Sequence, residues 1–228
     1  MLEQQEHPNE VKPAVGPWIY YAAPMALFLV LTPLEAKLGP YYTWIYFAKI
    51  VFVTAALILC RRAWADIRFE ARLVLPAAAL GAVLCAVWVG VDKSIPYPHL
   101  GVRAAFDPFA SISQPTNRAL FLAARFYGLV VLVPVIEELF WRSFLLRWIT
   151  APKWESIPLG TFSRTSFALV AAAFGIAHPE WLVAVIFACV MALLLRQTRS
   201  LFACIIAHAT TNLCLGLYVL STHDWMYW

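Results

Sequence analysis

Val131–Arg147 reads VLVPVIEELFWRSFLLR. Two adjacent carboxylates, Glu137 and Glu138, and a guanidinium, Arg142, stand in an otherwise apolar run. A charged side chain at the centre of a bilayer is disfavoured by roughly 2.5–3.5 kcal/mol on insertion scales. Three of them this close together are tolerable only if they face protein, water or one another. The rest of the chain is therefore read for their partners.

A bilayer is the relevant solvent because of the composition. The 228 residues are 62% hydrophobic and 13% charged, where a soluble domain has roughly 45–50% and 25%. With so few charges a water-facing surface cannot be built, and the chain reads as a polytopic membrane protein. The net charge of +4 does not point to nucleic acid, because in such a chain the position of the cations carries the information. Cys60, Cys85, Cys189, Cys204 and Cys214 all lie in apolar runs without a CxxC. They read as membrane-buried small hydrophobes, neither ligands nor disulfides.

Residues 1–17 are polar, acidic and Pro-containing, without the basic and then apolar pattern of a cleavable signal. They read as an exposed tail ahead of one integral membrane domain, 18–228. A first span, about Trp18–Leu34, opens on aromatics, and a second, about Tyr41–Cys60, does the same. The second runs into RRAWADIRFEAR, the densest cationic stretch, which the positive-inside rule puts in the cytoplasm together with the N-terminus. After a third span, about Leu73–Val91, a long Pro-rich loop, Asp92–Asn117, falls outside. A loop this long is more often a cover than a linker, though nothing in it suggests chemistry; His99 and Asp107 read as solvated.

Arg118–Ile149 is longer than the roughly 20 residues one crossing needs, either one tilted helix or a span plus a half-helix. Thr165–His178, Trp181–Leu195 and Leu201–Ser221 follow, with Pro179 in a tight turn and the aromatic tail HDWMYW outside. The expected architecture is an all-α polytopic transmembrane helical bundle with seven membrane segments, or eight if the long one divides. The location this implies is a membrane, read as the bacterial inner membrane.

The polar residues stranded in the last spans are Glu137, Glu138, Arg142, His178, His208 and Asn212. Residues four apart share a helix face; Glu138 and Arg142 have that spacing, as do Phe174 and His178, and His208 and Asn212. Counting 1.5 Å per residue from the nearest cation places Glu137 about 15 Å in from Arg147 and His208 about 13 Å in from Arg199. The same count puts His178 about 21 Å in from Arg164. The three groups can meet in one layer, from the cytoplasmic half up to the midplane. Arg125, Lys49 and His223 read as interfacial or snorkelling residues, Arg125 with Asp92 or Asp107 as a partner near the outer face.

EELFWR, FGIAH and HATTN, in that order on separate helices, match EExxxR, FxxxH and HxxxN motifs. On these residues the chain resembles the CAAX-protease and bacteriocin-processing (ABI) family of intramembrane endopeptidases, which includes the type II CAAX prenyl proteases. The resemblance covers residues 118–221 and extends to a bacterial branch associated with exosortase systems. It implies a peptidase acting on a membrane-associated protein or peptide.

Peptide hydrolysis needs an activated water, a stabiliser for the oxyanion and a proton donor for the leaving amine. In the glutamate-type mechanism the family implies, Glu137 with His178 activates water and His208 with Asn212 stabilises the oxyanion. Glu138 and Arg142 form the ion pair that keeps Glu137 in place. The same residues permit a metal reading, since Glu137, His178 and His208 plus an open position make a zinc donor set. HExxH, which would favour zinc, is absent. Two readings from other classes remain open: a non-catalytic membrane scaffold or immunity protein of the same family, and a proton-coupled transporter. Against the transporter stands the lack of repeat symmetry.

Overall fold

The computed structural model describes residues 16–103 and 105–228, so most of the expected polar tail, residues 1–15, lies outside the described residues. The described chain is helical without strands: α1 (Ile19–Lys37), α2 (Tyr42–Leu59), α3 (Ala71–Ser94), α4 (Pro115–Thr150), α5 (Arg164–Ile176), α6 (Trp181–Thr198) and α7 (Leu201–Thr222). Five helical runs among the described residues, those containing α2, α3, α4, α6 and α7, are long and apolar enough to cross a bilayer. The apolar parts of α1 and α5 are shorter. Length and hydropathy alone thus license five crossings, against the seven or eight read from sequence.

Local chemistry sets the boundaries. Ser163 and Ser200 cap α5 and α7, each side chain accepting a hydrogen bond from a backbone N–H in the first turn. Pro115 opens α4, where its missing N–H has no helical partner to lose. Arg199 and His223 close α6 and α7 in the left-handed conformation, at φ 54° and 58°.

Successive helices run between two ends of the bundle. One end gathers Arg61, Arg62 and Arg68 with Arg147, Arg196 and Arg199 and is called the arginine end here. The other gathers the turn after α1, the loop between α3 and α4, the α5–α6 corner and the C-terminal residues, and is called the loop end. The α3–α7 pair has the most extensive helix contact. It depends on Gly81, where an added Cβ would collide with the Ala207 carbonyl, while Thr211 Oγ1 donates to the Gly81 carbonyl at 2.9 Å. Small residues and hydroxyls of this kind let membrane helices approach where no hydrophobic drive separates protein from lipid.

The long fourth segment is one continuous helix of 36 residues, about 54 Å at 1.5 Å per residue. It is not regular. Gly128–Leu132 and Glu138–Leu145 are wound as π-helix, with α-helical Val133–Glu137 between them. Pro134 supplies a physical reason for the first. It has no N–H to give to the preceding turn, and in the π register its partner would be the Leu129 carbonyl. Asn212 Nδ2 of α7 donates to that carbonyl instead, at 2.9 Å.

Several polar residues sit differently from their sequence reading. Lys49 does not snorkel: it is 3% exposed and pairs with buried Glu35 at 2.5 Å across α1 and α2. Arg125 meets neither Asp92 nor Asp107. Its guanidinium lies between the rings of Tyr46 and Trp228, 4.9 and 5.2 Å from their centroids. Asp92 is taken by Tyr97, by His99 at 3.0 Å and by Tyr227 at 2.6 Å, so His99 is anchored and not merely solvated. Asp107 caps the single helical turn Pro108–Ser111. The aromatic tail is folded back on the bundle, with Tyr227 and Trp228 buried. For Arg125 and the C-terminal tail, packing between distant aromatic residues supplied the partner, which local reading could not see.

Candidate active site

Glu137, His178, His208 and Asn212 line one cavity of about 360 Å³. Glu138 and Arg142 do not reach it and lie directly behind. Both are wholly buried, Glu138 at 0% and Arg142 at 1% exposure.

The layer behind is an ordered chain of contacts. Glu138 Oε1 accepts from His208 Nδ1 at 2.8 Å, and Glu138 Oε2 lies 3.3 Å from Arg142 Nε. The second contact is a close charge pair without hydrogen-bond alignment, since neither atom has a hydrogen-bond partner. The Arg142 guanidinium instead lies against two aromatic rings that stack on each other, 4.6 Å from the Phe174 centroid and 5.8 Å from Phe187. Away from water such a cation–π contact is worth about 2 kcal/mol or more.

Aromatic rings fix the histidines as well. His178 stacks on Phe174 at 4.4 Å and 23° and meets the edge of Trp88. His208 packs edge-on against Phe187 at 5.0 Å. Phe174 therefore has two roles, a seat for Arg142 on one side and for His178 on the other. This gives the FxxxH spacing a physical basis: the i,i+4 step stacks the two rings and lets His178 Nδ1 donate to the Phe174 carbonyl at 2.7 Å. Both imidazoles thus use Nδ1–H as a donor, to a carbonyl and to a carboxylate. In the neutral ring that leaves Nε2 with its lone pair.

Glu137 differs from its neighbour. It is 5% exposed, and its Oε2 is buried with no hydrogen-bond partner. No protein group satisfies this oxygen, and the residue lines a cavity with room for water, so the carboxylate is placed to take a partner that is not part of the protein. Asn212 also faces this cavity, but one amide proton is committed to the Leu129 carbonyl.

The metal reading can be tested on the donors. The tautomers suit it, because a metal-bound histidine usually donates its other N–H to a carbonyl or carboxylate. The grouping does not: among the described residues no three His, Cys, Asp or Glu side chains assemble as a ligand set.

Residues 119–214 match the family model described as Type II CAAX prenyl endopeptidase Rce1-like. Over these residues the chain is similar to the type II CAAX prenyl endopeptidases. The matched stretch coincides with the segment that carries EELFWR, FGIAH and HATTN. No curated protein and no solved structure matched the chain.

Sequence reading missed two features of this site. The Glu138–His208 hydrogen bond joins residues seventy apart, and nothing local announces it. Trp88 and Phe187 frame the histidines, yet an aromatic residue in an apolar helix looks the same whether it faces lipid or a site. The long loop was read as a cover, but its partners were not legible. The loop between α3 and α4 reaches the corner that carries His178: the Trp181 indole donates to the Pro98 carbonyl at 2.9 Å, and Leu100 N–H to the Pro179 carbonyl at 2.9 Å. Arg103 makes a bidentate pair with Glu180 at 3.0 and 2.7 Å. Burial alone would raise the Glu180 carboxyl, but the Arg103 hydrogen bonds and charge outweigh it and hold the group below the usual carboxylate range.

Proposed function

We propose that this chain is an intramembrane endopeptidase of the glutamate type, hydrolysing a peptide bond of a membrane-associated protein. The observation that carries the reading is the buried, unpartnered Glu137 carboxylate in a cavity that also takes His178 and His208. The likeness of residues 119–214 to type II CAAX prenyl endopeptidases supports the reaction class.

In this mechanism Glu137 is the base. With Oε2 free of protein partners it can hold a water and take its proton as the oxygen attacks the scissile carbonyl. His178, locked by Phe174, orients that water through Nε2. The oxyanion forms on the side of His208, which donates from Nε2 only when doubly protonated; Glu138, against Nδ1–H, stabilises that imidazolium as a buried carboxylate does behind a catalytic histidine. Asn212 contributes its second amide proton. The proton taken by Glu137 then passes to the leaving amine. Arg142 keeps Glu138 charged and in place, a positioning role. Zinc chemistry is not built into this scheme.

A Glu137→Gln variant, which keeps the side-chain shape and removes the base, tests it. Cleavage of membrane-fraction proteins by the detergent-purified enzyme should fall by at least about 10²-fold, the usual range for a general base. The thermal transition should stay near that of the wild type. Undiminished cleavage by Glu137→Gln would exclude the mechanism. An unchanged cellular phenotype in Glu137, His178 and His208 variants together would favour the scaffold or immunity reading.

A further inference from the structure

Granting the protease reading, we infer that this site takes its substrate from the non-cytoplasmic side of the membrane: a membrane-anchored protein or peptide that has already been exported. Two independent observations meet in this inference, the direction in which the cavity opens and the distribution of lysine and arginine.

The cavity extends from Glu137 and His208 in its floor to Val102, Arg103 and Pro179 at the loop end. Val102 at that rim is 84% exposed. Above that floor most of the lining comes from the parts of the helices nearer the loop end: Leu29 to Glu35 of α1, the first half of α2, Trp88 late in α3, Arg125 to Leu129 of α4 and Leu215 beyond the middle of α7. Toward the arginine end the way is closed. Arg142, Ser143 and Arg147 are buried beneath the site, and Asp66 ties Ser143 and Arg147 together at 2.5 Å each. The crevice that reaches Arg142 from this end holds only about 10 Å³, the space of about one water. A peptide cannot enter there.

The cations face the other way. The loop after α2 carries Arg61, Arg62 and Arg68, with Arg72 at the start of α3. Arg147, Lys153 and Arg164 flank the next turn at that end, and Arg196 and Arg199 the last. The loop end has only Lys37, Lys93, Arg103 and Arg118. The loops concerned are short, which is where the lysine and arginine bias decides orientation. The arginine end is therefore cytoplasmic, and the cavity mouth faces outward.

A lipid-modified tail displayed on the cytoplasmic leaflet would meet the closed end. A segment of an exported protein, anchored by a helix or lipid and extended along the outer leaflet, would meet the open one. The reaction that supplies this substrate is accordingly a translocation step, and cleavage follows export.

Single cysteines placed in a background lacking the native five report the sidedness without relying on activity. Leu100, at the rim, and Phe69, in the arginine-rich loop, are 53% and 75% exposed and lie outside the catalytic machinery. In intact cells a membrane-impermeant maleimide should label Leu100→Cys fully and leave Phe69→Cys untouched until the membrane is permeabilised. The opposite pattern, or labelling of both before permeabilisation, overturns the inference. A reporter protein anchored in the membrane supplies the second arm, with its cleavable segment on one face or the other. Only the outward-facing segment should be cut, in a Glu137-dependent manner; preferential cutting of the inward-facing segment also overturns the inference. If neither is cut while the maleimide pattern holds, the protease reading fails and the outward opening of the cavity stands.

Discussion

At the residue scale the site divides two adjacent glutamates into different chemical roles by what surrounds each. Glu138 has an imidazole on one oxygen and a guanidinium beside the other; Glu137 has an oxygen with no partner. Removing one member of a buried charge pair costs about 3–5 kcal/mol, because the other is left uncompensated. Arg142→Met should therefore lower stability by that amount in detergent denaturation. A double variant, Arg142→Met with Glu138→Gln, should recover much of it while cleavage stays lost. If Arg142→Met unfolds no earlier than the wild type, aromatic packing alone holds this layer and the pairing argument fails. The i,i+4 spacing of Glu138 and Arg142 made this pair legible in the sequence. Their aromatic bed was not, since Phe187 belongs to another helix and carries no polar mark.

Among the elements, the irregular α4 sets the site. π-Helical turns are uncommon and recur at functional positions, and here one holds Glu138 and Arg142 while the other is completed by Asn212 from α7. Asn212→Ala orphans the Leu129 carbonyl and should destabilise by about 1–3 kcal/mol. In a Pro134→Ala background the helix regains an N–H of its own, and the same change should be less damaging, with a coupling of about 0.5–3 kcal/mol. A double-mutant cycle on thermal stability measures this; strict additivity would mean that the asparagine does not stand in for the proline. The cover between α3 and α4 makes a separate prediction. Because Glu180 is held below its ordinary value of 4.5, its pairing with Arg103 contributes fully above that pH and is lost as the pH falls through the lowered value. Protease nicking of the loop around Gly101 should rise only below about pH 4.5, and Arg103→Ala should nick readily at neutral pH too. A loop equally resistant in both proteins would remove the clamp from the account.

For the whole molecule, the helices build a cavity closed toward the arginine end and open at the other, where the loop between α3 and α4 edges its mouth. The glutamate mechanism predicts that a strong chelator leaves the rate of cleavage unchanged and that metal content does not track activity across preparations. Loss of activity on chelation, restored by zinc, would require Glu137, His178 and His208 to close into the ligand set that the present arrangement lacks.

Sequence alone determined the class of this protein, and for a physical reason: a bilayer admits so few charges that composition selects helices, and each charge kept inside one must be explained. It also determined which residues to watch, because helical periodicity acts over four residues and the three motifs have that spacing. Only the tertiary structure decided which glutamate is free, which histidine Glu138 holds and which end of the bundle is open. Those are contacts between residues seventy or more apart, created when helices pack, and no local pattern encodes the angle at which one helix meets another. EELFWR poses the problem of three charges in a membrane; α7, α5 and the aromatic rings between them supply the answer.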